Sequence, residues 1–523
     1  MIEDPFDIRG DNLTIEDFVS VARGGRPVIL DAAVAARVRA SRDALERKLA
    51  RHEIIYGVST GFGAHVKFFI PPEELSELQE HVLDNLSCGT GDPFPLEVVR
   101  GAMLLRAHAL SKGYSGVRLD VITQLTALLN HGITPVVPQY GSVGASGDLV
   151  PSAHIANTLL GKGEVFYRGA RVAAAEALAA EQIAPIRLVA KEGLGLVNGT
   201  TVMTSLAAFA VFEVDYLARL TLAAVAMTAE VLKATADSFR DVIHRIKNHP
   251  GQIEAGRLLR TFCAGSRLLF DLDALREQIR QGHLTEHETV ELGESIQMPY
   301  SLRCAPQGLG PVLDCLAFTR LVIEREMNSV NDNPLLDGET EQVLHTGNFY
   351  GGHVGRVMDG LKIDIATLGN WSHQLMAMLM EPHFSKALPP SLSAHAGLHS
   401  GFKGMQLSQT SLIVLLRQMA APSSIHSLPT EQYNQDIVSL GLHAAQSANE
   451  MASRLRVALS MLFLALCQAA DLRGADGLGT TSAAIHAAVR QTSAFVDQDR
   501  AMSSDIARVG ALVEQRGFPL MSV

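Results

Sequence analysis

A chain of 523 residues with 47% apolar, 5% aromatic and 19% charged side chains can bury an extensive core of Ala, Leu, Val and Met, which excludes a disordered protein. A net charge of -11 and a pI near 5.9 leave no basic footprint for a phosphate backbone, so nucleic acid is not an expected partner. Five cysteines (Cys88, Cys263, Cys304, Cys315, Cys467) without CxxC spacing, and an acidic start without a leader's basic and apolar regions, point to the reducing cytoplasm.

Up to about residue 200 the chain is rich in Gly and Pro. Turn-like stretches at 57–63, 87–95 and 140–147 lie between helical segments such as 96–111, and predict an irregular N-terminal head over residues 1–200. Strand-like alternation is confined to short pieces near 133–138 and 163–171. From residue 201 to 523 the pattern changes to long Ala/Leu/Met runs of helical spacing, at about 200–237, 268–282, 309–329, 352–380, 404–420 and 436–470. The fold class is therefore mainly α, a bundle of long helices with a smaller head. The apolar stretches 206–231 and 457–466 are respectively interrupted by Glu213, Asp215 and Arg219, or short of the roughly 20 residues of a bilayer span, so no membrane segment is expected. Small residues on such helices favour close packing, including against other copies of the chain.

The most informative stretch is Gly141-Ser-Val-Gly-Ala-Ser-Gly-Asp-Leu-Val-Pro151. A flexible glycine loop is one reading, and a phosphate cradle another, although the GxxxxGK[ST] pattern is missing. A third reading is chemical. In a tightly bent loop the Gly147 nitrogen can attack the Ala145 carbonyl carbon, and loss of two waters, one of them from Ser146, leaves a five-membered ring with an exocyclic methylidene. Such a ring is an electrophile that no standard side chain supplies.

Gly144-Ala-Ser-Gly-Asp-Leu-Val-Pro-Ser-Ala-His154 as a whole resembles the prosthetic-group motif of the histidine and aromatic amino acid ammonia-lyases and their related aminomutases, with further motifs in the same order. The resemblance implies a 4-methylideneimidazole-5-one formed autocatalytically from Ala145, Ser146 and Gly147, with no metal. It also implies a homotetramer whose sites are assembled from several subunits. In Ile55-Tyr-Gly-Val-Ser-Thr-Gly-Phe-Gly63 the segment looks like the family's catalytic-tyrosine loop, so Tyr56 is the expected base, its phenol lowered towards neutrality. Gly57, Gly61 and Gly63 would let the loop close as a lid.

Gln297-Met-Pro-Tyr-Ser-Leu-Arg303 resembles the family's Gln-x-x-Tyr-Ser-x-Arg motif. Arg303 would clamp the substrate carboxylate through two parallel hydrogen bonds, with Gln297 and Tyr300 lining the site. The resemblance also implies that Asn198, in Gly195-Leu-Val-Asn-Gly-Thr200, touches the prosthetic group or the carboxylate. Asn333, in the Asp-Asn-Pro segment, would order the site, and Phe349 would pack beside the electrophile.

Two positions bear on the substrate, a small aromatic amino acid. Asn85-Leu86 occupies the selectivity pair, where histidine lyases resemble one another in carrying Ser-His, phenylalanine lyases Phe-Leu and tyrosine lyases His-Leu. Gln435 stands where histidine lyases have a Glu, in a Glu-Gln-x-Asn-Gln-Asp pattern similar to phenylalanine lyases, whose leading Glu, here Glu431, lies near the reacting amine. Burying the Asn85 amide against a bare phenyl would leave it unpaired at a cost of about 1–3 kcal/mol, which favours tyrosine or another ring-oxygenated substrate, with phenylalanine still open. A 2,3-aminomutase would use the same residues, histidine remains an alternative substrate, and a silent helical scaffold is the non-enzymatic alternative.

Overall fold

The computed structural model describes residues 4–283, 289, 291 and 295–520. Long helices dominate: Thr201–Val231, Ala305–Met327, Gly352–Met380, Lys403–Met419 and Gly441–Arg473, with Leu272–His283 shorter. Each matches a run of helical spacing in the sequence, with ends shifted by several residues. The strands among the described residues are at most four residues long. They form three two-stranded pairs and one three-stranded sheet, the latter built from Thr134–Pro135, Glu164–Tyr167 and Ala170–Ala173. Between its predicted turns the head also contains the helices Ala32–Ala50, Leu75–Leu86, Leu119–Asn130 and Leu149–Leu159.

The Gly441–Arg473 helix corrects one expectation. It is 33 residues long, so its apolar stretch is not too short for a span by length and composition, yet 78% of its most apolar window, of mean hydropathy 1.6, is buried inside the protein. The apolar surface is consumed by packing.

The chain forms two compact units that interleave along the sequence, where the composition had suggested a division near residue 200. The first comprises Met1–Phe212, Thr319–Asp359 and Pro422–Asn449; the second comprises Glu213–Phe318, Gly360–Ala421 and Glu450–Val523. In the second unit the Trp371 indole donates to the Ser301 carbonyl at 2.9 Å. Gly308 lies beneath that ring, where a Cβ would come within 2.0 Å of it.

In the first unit the Leu96–Leu110 helix is buried on nearly every side from Val98 onward. It carries Arg106, 2% exposed, into the interior, where the guanidinium donates to the carbonyls of Gly195 at 3.3 Å and Asn198 at 2.8 Å. Burial pulls the Arg106 pKa down to about 10, against the opposing pull of Asp332 and Asp148. Nearby, Lys191, 0% exposed, pairs with Asp332, 2% exposed, at 2.6 Å. Two cations and two carboxylates thus sit in the core behind the segment that ends at Asn198, where each charge needs its partner.

Lys191→Met should strand the Asp332 carboxylate and destabilise the protein by about 3–5 kcal/mol. The effect is read as a fall in the urea midpoint, and adding Asp332→Asn should recover part of it by removing the unpaired charge.

Candidate active site

The 141–148 loop is folded tightly on itself. Ser142 Oγ accepts from Gly144 N at 3.1 Å and lies 3.2 Å from the Gly147 carbonyl and 3.0 Å from Asp148 Oδ1 as a donor. Gly147 has φ +73°, and a Cβ there would lie 2.0 Å from the Gly199 carbonyl oxygen, so only glycine fits. The Ser146 carbonyl oxygen accepts from Asn198 Nδ2 at 3.1 Å and from Gly199 N at 3.2 Å. On the other side of the same residue, Ser146 Oγ accepts from Gln435 Nε2 at 3.3 Å. Asn198 is 3% exposed, and its Oδ1 is buried without a partner.

Asp148 follows the tripeptide and is fully buried. Burial pushes its carboxyl up to about 7, while hydrogen bonds from Met203 N, Ser142 and Val202 N and the charge of Arg106 oppose the shift. The Met203 amide donates to it at 2.7 Å and the Asp148 amide donates to the Gly199 carbonyl at 2.8 Å, so the loop is fastened to the start of the Thr201–Val231 helix.

These features fit the 4-methylideneimidazole-5-one group. Gly147 has the bare Cα and left-handed backbone that a bent loop needs, Ala145 adds little bulk, and the Ser146 oxygen, which the ring would retain, already has two donors on it.

Tyr56 faces this loop across a cavity of about 1430 Å³, and Ala145, Ser146 and Asn198 line the same space. Its hydroxyl accepts from Gly63 N at 2.9 Å. Gly57 and Gly63 have φ +61° and +52°, and the Gly63 Cα is pressed against Glu431: a Cβ there would lie 1.8 Å from Oε1. The expected lowering of the phenol pKa is not met within one chain. Burial raises it first, the Gly63 amide lowers it, and the Glu431 charge raises it further.

Asn85, Leu86, Asn333, Phe349, Glu431 and Gln435 also line the cavity. The Asn333 Oδ1 is occupied by Thr346 N at 2.8 Å, which leaves its Nδ2 as the group to present. Asn85 is exposed on the Leu75–Leu86 helix and its amide has no hydrogen-bond partner among the described residues. Among the lining residues that sequence reasoning missed are His81 and His345. His81 lies one helical turn before Asn85, a spacing that could have drawn attention to it, and His345 has its ring 6.4 Å from the Tyr56 ring, edge to face.

Gln297, Tyr300 and Arg303 do not line this cavity, which is drawn from the first unit alone. They belong to the second unit. Tyr300 is 71% exposed, and Arg303 stacks its guanidinium 4.6 Å from the Tyr300 ring while its Nε donates to the Met298 carbonyl at 3.3 Å. Among the described residues, no group of three or more His, Cys, Asp or Glu is placed to hold a metal ion.

Comparison with known proteins gives the same picture over nearly the full length. The family described as aromatic amino acid lyase matches residues 13–491. A tyrosine ammonia-lyase of Cupriavidus metallidurans is 40% identical, with 98% of this chain and 96% of that protein covered. A histidine ammonia-lyase of Geobacillus sp. is 39% identical, with 95% and 94% covered. The crystal structure of a tyrosine aminomutase from Streptomyces globisporus superposes with a TM-score of 0.95 at 33% identity, covering 98% of this chain and 97% of that one. With its long helices, its glycine-framed Ala145-Ser146-Gly147 loop and this full-length likeness, the chain is an enzyme of the ammonia-lyase kind and belongs to the aromatic amino acid lyase family.

Proposed function

We propose that this enzyme eliminates ammonia non-oxidatively from an L-aromatic amino acid to give the trans-cinnamic-type acid, with tyrosine or another ring-oxygenated phenylalanine favoured and phenylalanine within reach. The observation that carries the reading is the Ser146 carbonyl, held by Asn198 and Gly199 in a loop that admits only glycine at 147, and placed across one cavity from the Tyr56 phenol. In maturation the Gly147 nitrogen bonds to the Ala145 carbonyl carbon and two waters leave, the second carrying Ser146 Oγ and the Ser146 α-hydrogen. The mature group supplies an electrophilic carbon that turns the substrate amine into a competent leaving group.

The remaining work falls to side chains. Tyr56 Oη takes the β-proton, and Asn333 Nδ2 and the Asn198 amide stand beside the amino acid head. Arg303 fixes the carboxylate by a bidentate pair, with Tyr300 and Gln297 beside it. Because these three lie outside the cavity of the first unit and Tyr300 is largely exposed, we assign them to a site completed by a neighbouring copy in a homotetramer. This arrangement also supplies what Tyr56 lacks in one chain, a cation to lower a phenol that burial and Glu431 raise. All five cysteines are free thiols, consistent with a cytoplasmic enzyme.

The preference for a ring oxygen rests on Asn85 at the selectivity pair, whose cavity-lining amide can bond a ring hydroxyl once a substrate covers it, and Gln435 in place of a carboxylate weighs against an imidazole side chain. A second reading, a 2,3-aminomutase, is favoured by the likeness to the Streptomyces tyrosine aminomutase, and a β-amino acid among the products would select it.

Ser146→Ala should give a folded protein without the near-ultraviolet band of the ring, without the mass deficit of two waters, and with activity abolished. Full activity in that variant would refute the scheme. Asn85→Phe should shift the ratio of kcat/KM for phenylalanine over tyrosine upward by about tenfold or more. Tyr56→Phe and Arg303→Ala, each inactive alone, should regain activity when co-expressed, since a mixed assembly then contains sites with both residues intact.

A further inference from the structure

The Glu431–Tyr433 segment has an unusual backbone. Glu431, Gln432 and Tyr433 have φ of 48°, 54° and 63°, three consecutive side-chain-bearing residues in the left-handed region. Such a turn persists only where its surroundings hold it. Here the hold is a clasp between the residues on either side. The Thr430 amide donates to the Gln435 carbonyl at 2.9 Å, and the Thr430 hydroxyl donates to Gln435 Oε1 at 2.6 Å. At the tip, Asn434 Nδ2 donates to Glu431 Oε2 at 3.3 Å.

The side-chain half of the clasp has a chemical consequence. An amide has two unlike ends, and the end bound to Thr430 dictates what the other end offers. With Oε1 engaged by the Thr430 hydroxyl, Nε2 is the end turned to Ser146 Oγ, 3.3 Å away. That oxygen sits on the Cβ of the residue whose carbonyl Asn198 and Gly199 hold, so the Gln435 N–H points at the reacting end of the cavity. With the amide reversed, an acceptor would stand there instead, and the distinction between Gln and Glu at this position would lose half its meaning.

We propose that Thr430 is a positioning residue that fixes the Gln435 amide with its N–H donor towards the Cβ of residue 146, the carbon that the proposed ring would make electrophilic. Thr430 touches neither substrate nor prosthetic group; it acts through Gln435. The inference rests on the lyase reading given above.

The test compares the parent enzyme with Thr430→Val, which keeps shape and removes the hydroxyl, and with Thr430→Ser, which keeps the hydroxyl. In Thr430→Val, kcat for the preferred aromatic amino acid should fall by about tenfold, the loss of one oriented hydrogen bond, with KM changed much less. The near-ultraviolet band of the ring should shift in position without losing intensity, and the melting temperature should stay within about 2 °C of the parent. Thr430→Ser should restore both rate and band. The inference is overturned if Thr430→Val matches the parent in kcat and band, if Thr430→Ser fails to restore them, or if the rate falls only with the melting temperature or with the band's intensity. A parent enzyme that shows the band but turns over no aromatic amino acid defeats the substrate reading instead, and the band position in the two variants then still decides the role of Thr430.

Discussion

Where the backbone at Gly147 meets that at Gly199, neither position tolerates a Cβ: at 147 it would strike the Gly199 carbonyl oxygen across the contact, and at 199 it would strike Asn331 and Arg106 on another side. Most of the site follows from this contact. It brings the Gly199 amide onto the Ser146 carbonyl, places Asn198 beside it, and joins the loop to the first turn of the Thr201–Val231 helix through Asp148. Rigidity at that point is what the proposed cyclisation would require, because a loop free to relax would extend and separate the Gly147 nitrogen from the Ala145 carbonyl.

The contact is backed by buried charge. Arg106 grips the carbonyls of Gly195 and Asn198, while Lys191 and Asp332 pair nearby without access to water. Such groups contribute little net stability relative to apolar packing, but each is costly to leave unpaired, so the arrangement tolerates few alternatives. A functional loop is thereby anchored to the least deformable part of the first unit. The cavity wall opposite includes Glu431 and Gln432 of the exposed Glu431–Tyr433 turn.

Much of this was legible in the residues. The long helices declared themselves by spacing, and Ala145-Ser146-Gly147 by its glycine frame and its neighbours. Ten of the candidate catalytic and binding residues, from Tyr56 to Gln435, line one cavity. What was not legible is tertiary in origin. The interleaving of two units cannot be read from a linear change in composition, because long helices such as Gly352–Met380 begin in one unit and end in the other. The Tyr56 phenol was expected to be lowered, but that depends on its surroundings, and among the described residues burial and the Glu431 carboxylate raise it. Thr430 gave no signal, since a lone Thr before a Glu has no pattern, and its importance depends on which end of a glutamine it faces.

The bare Cα of Gly63 has a kinetic implication. The Glu431 carboxylate rests where a side chain at 63 would be, and the same glycine's N–H is bonded to the Tyr56 hydroxyl. One glycine therefore meets both groups, its N–H on the phenol and its Cα against the carboxylate. Under the roles proposed for Tyr56 and Glu431, a shift of this glycine would disturb the base and the carboxylate near the substrate amine together, so proton transfer and amine binding would share one gate.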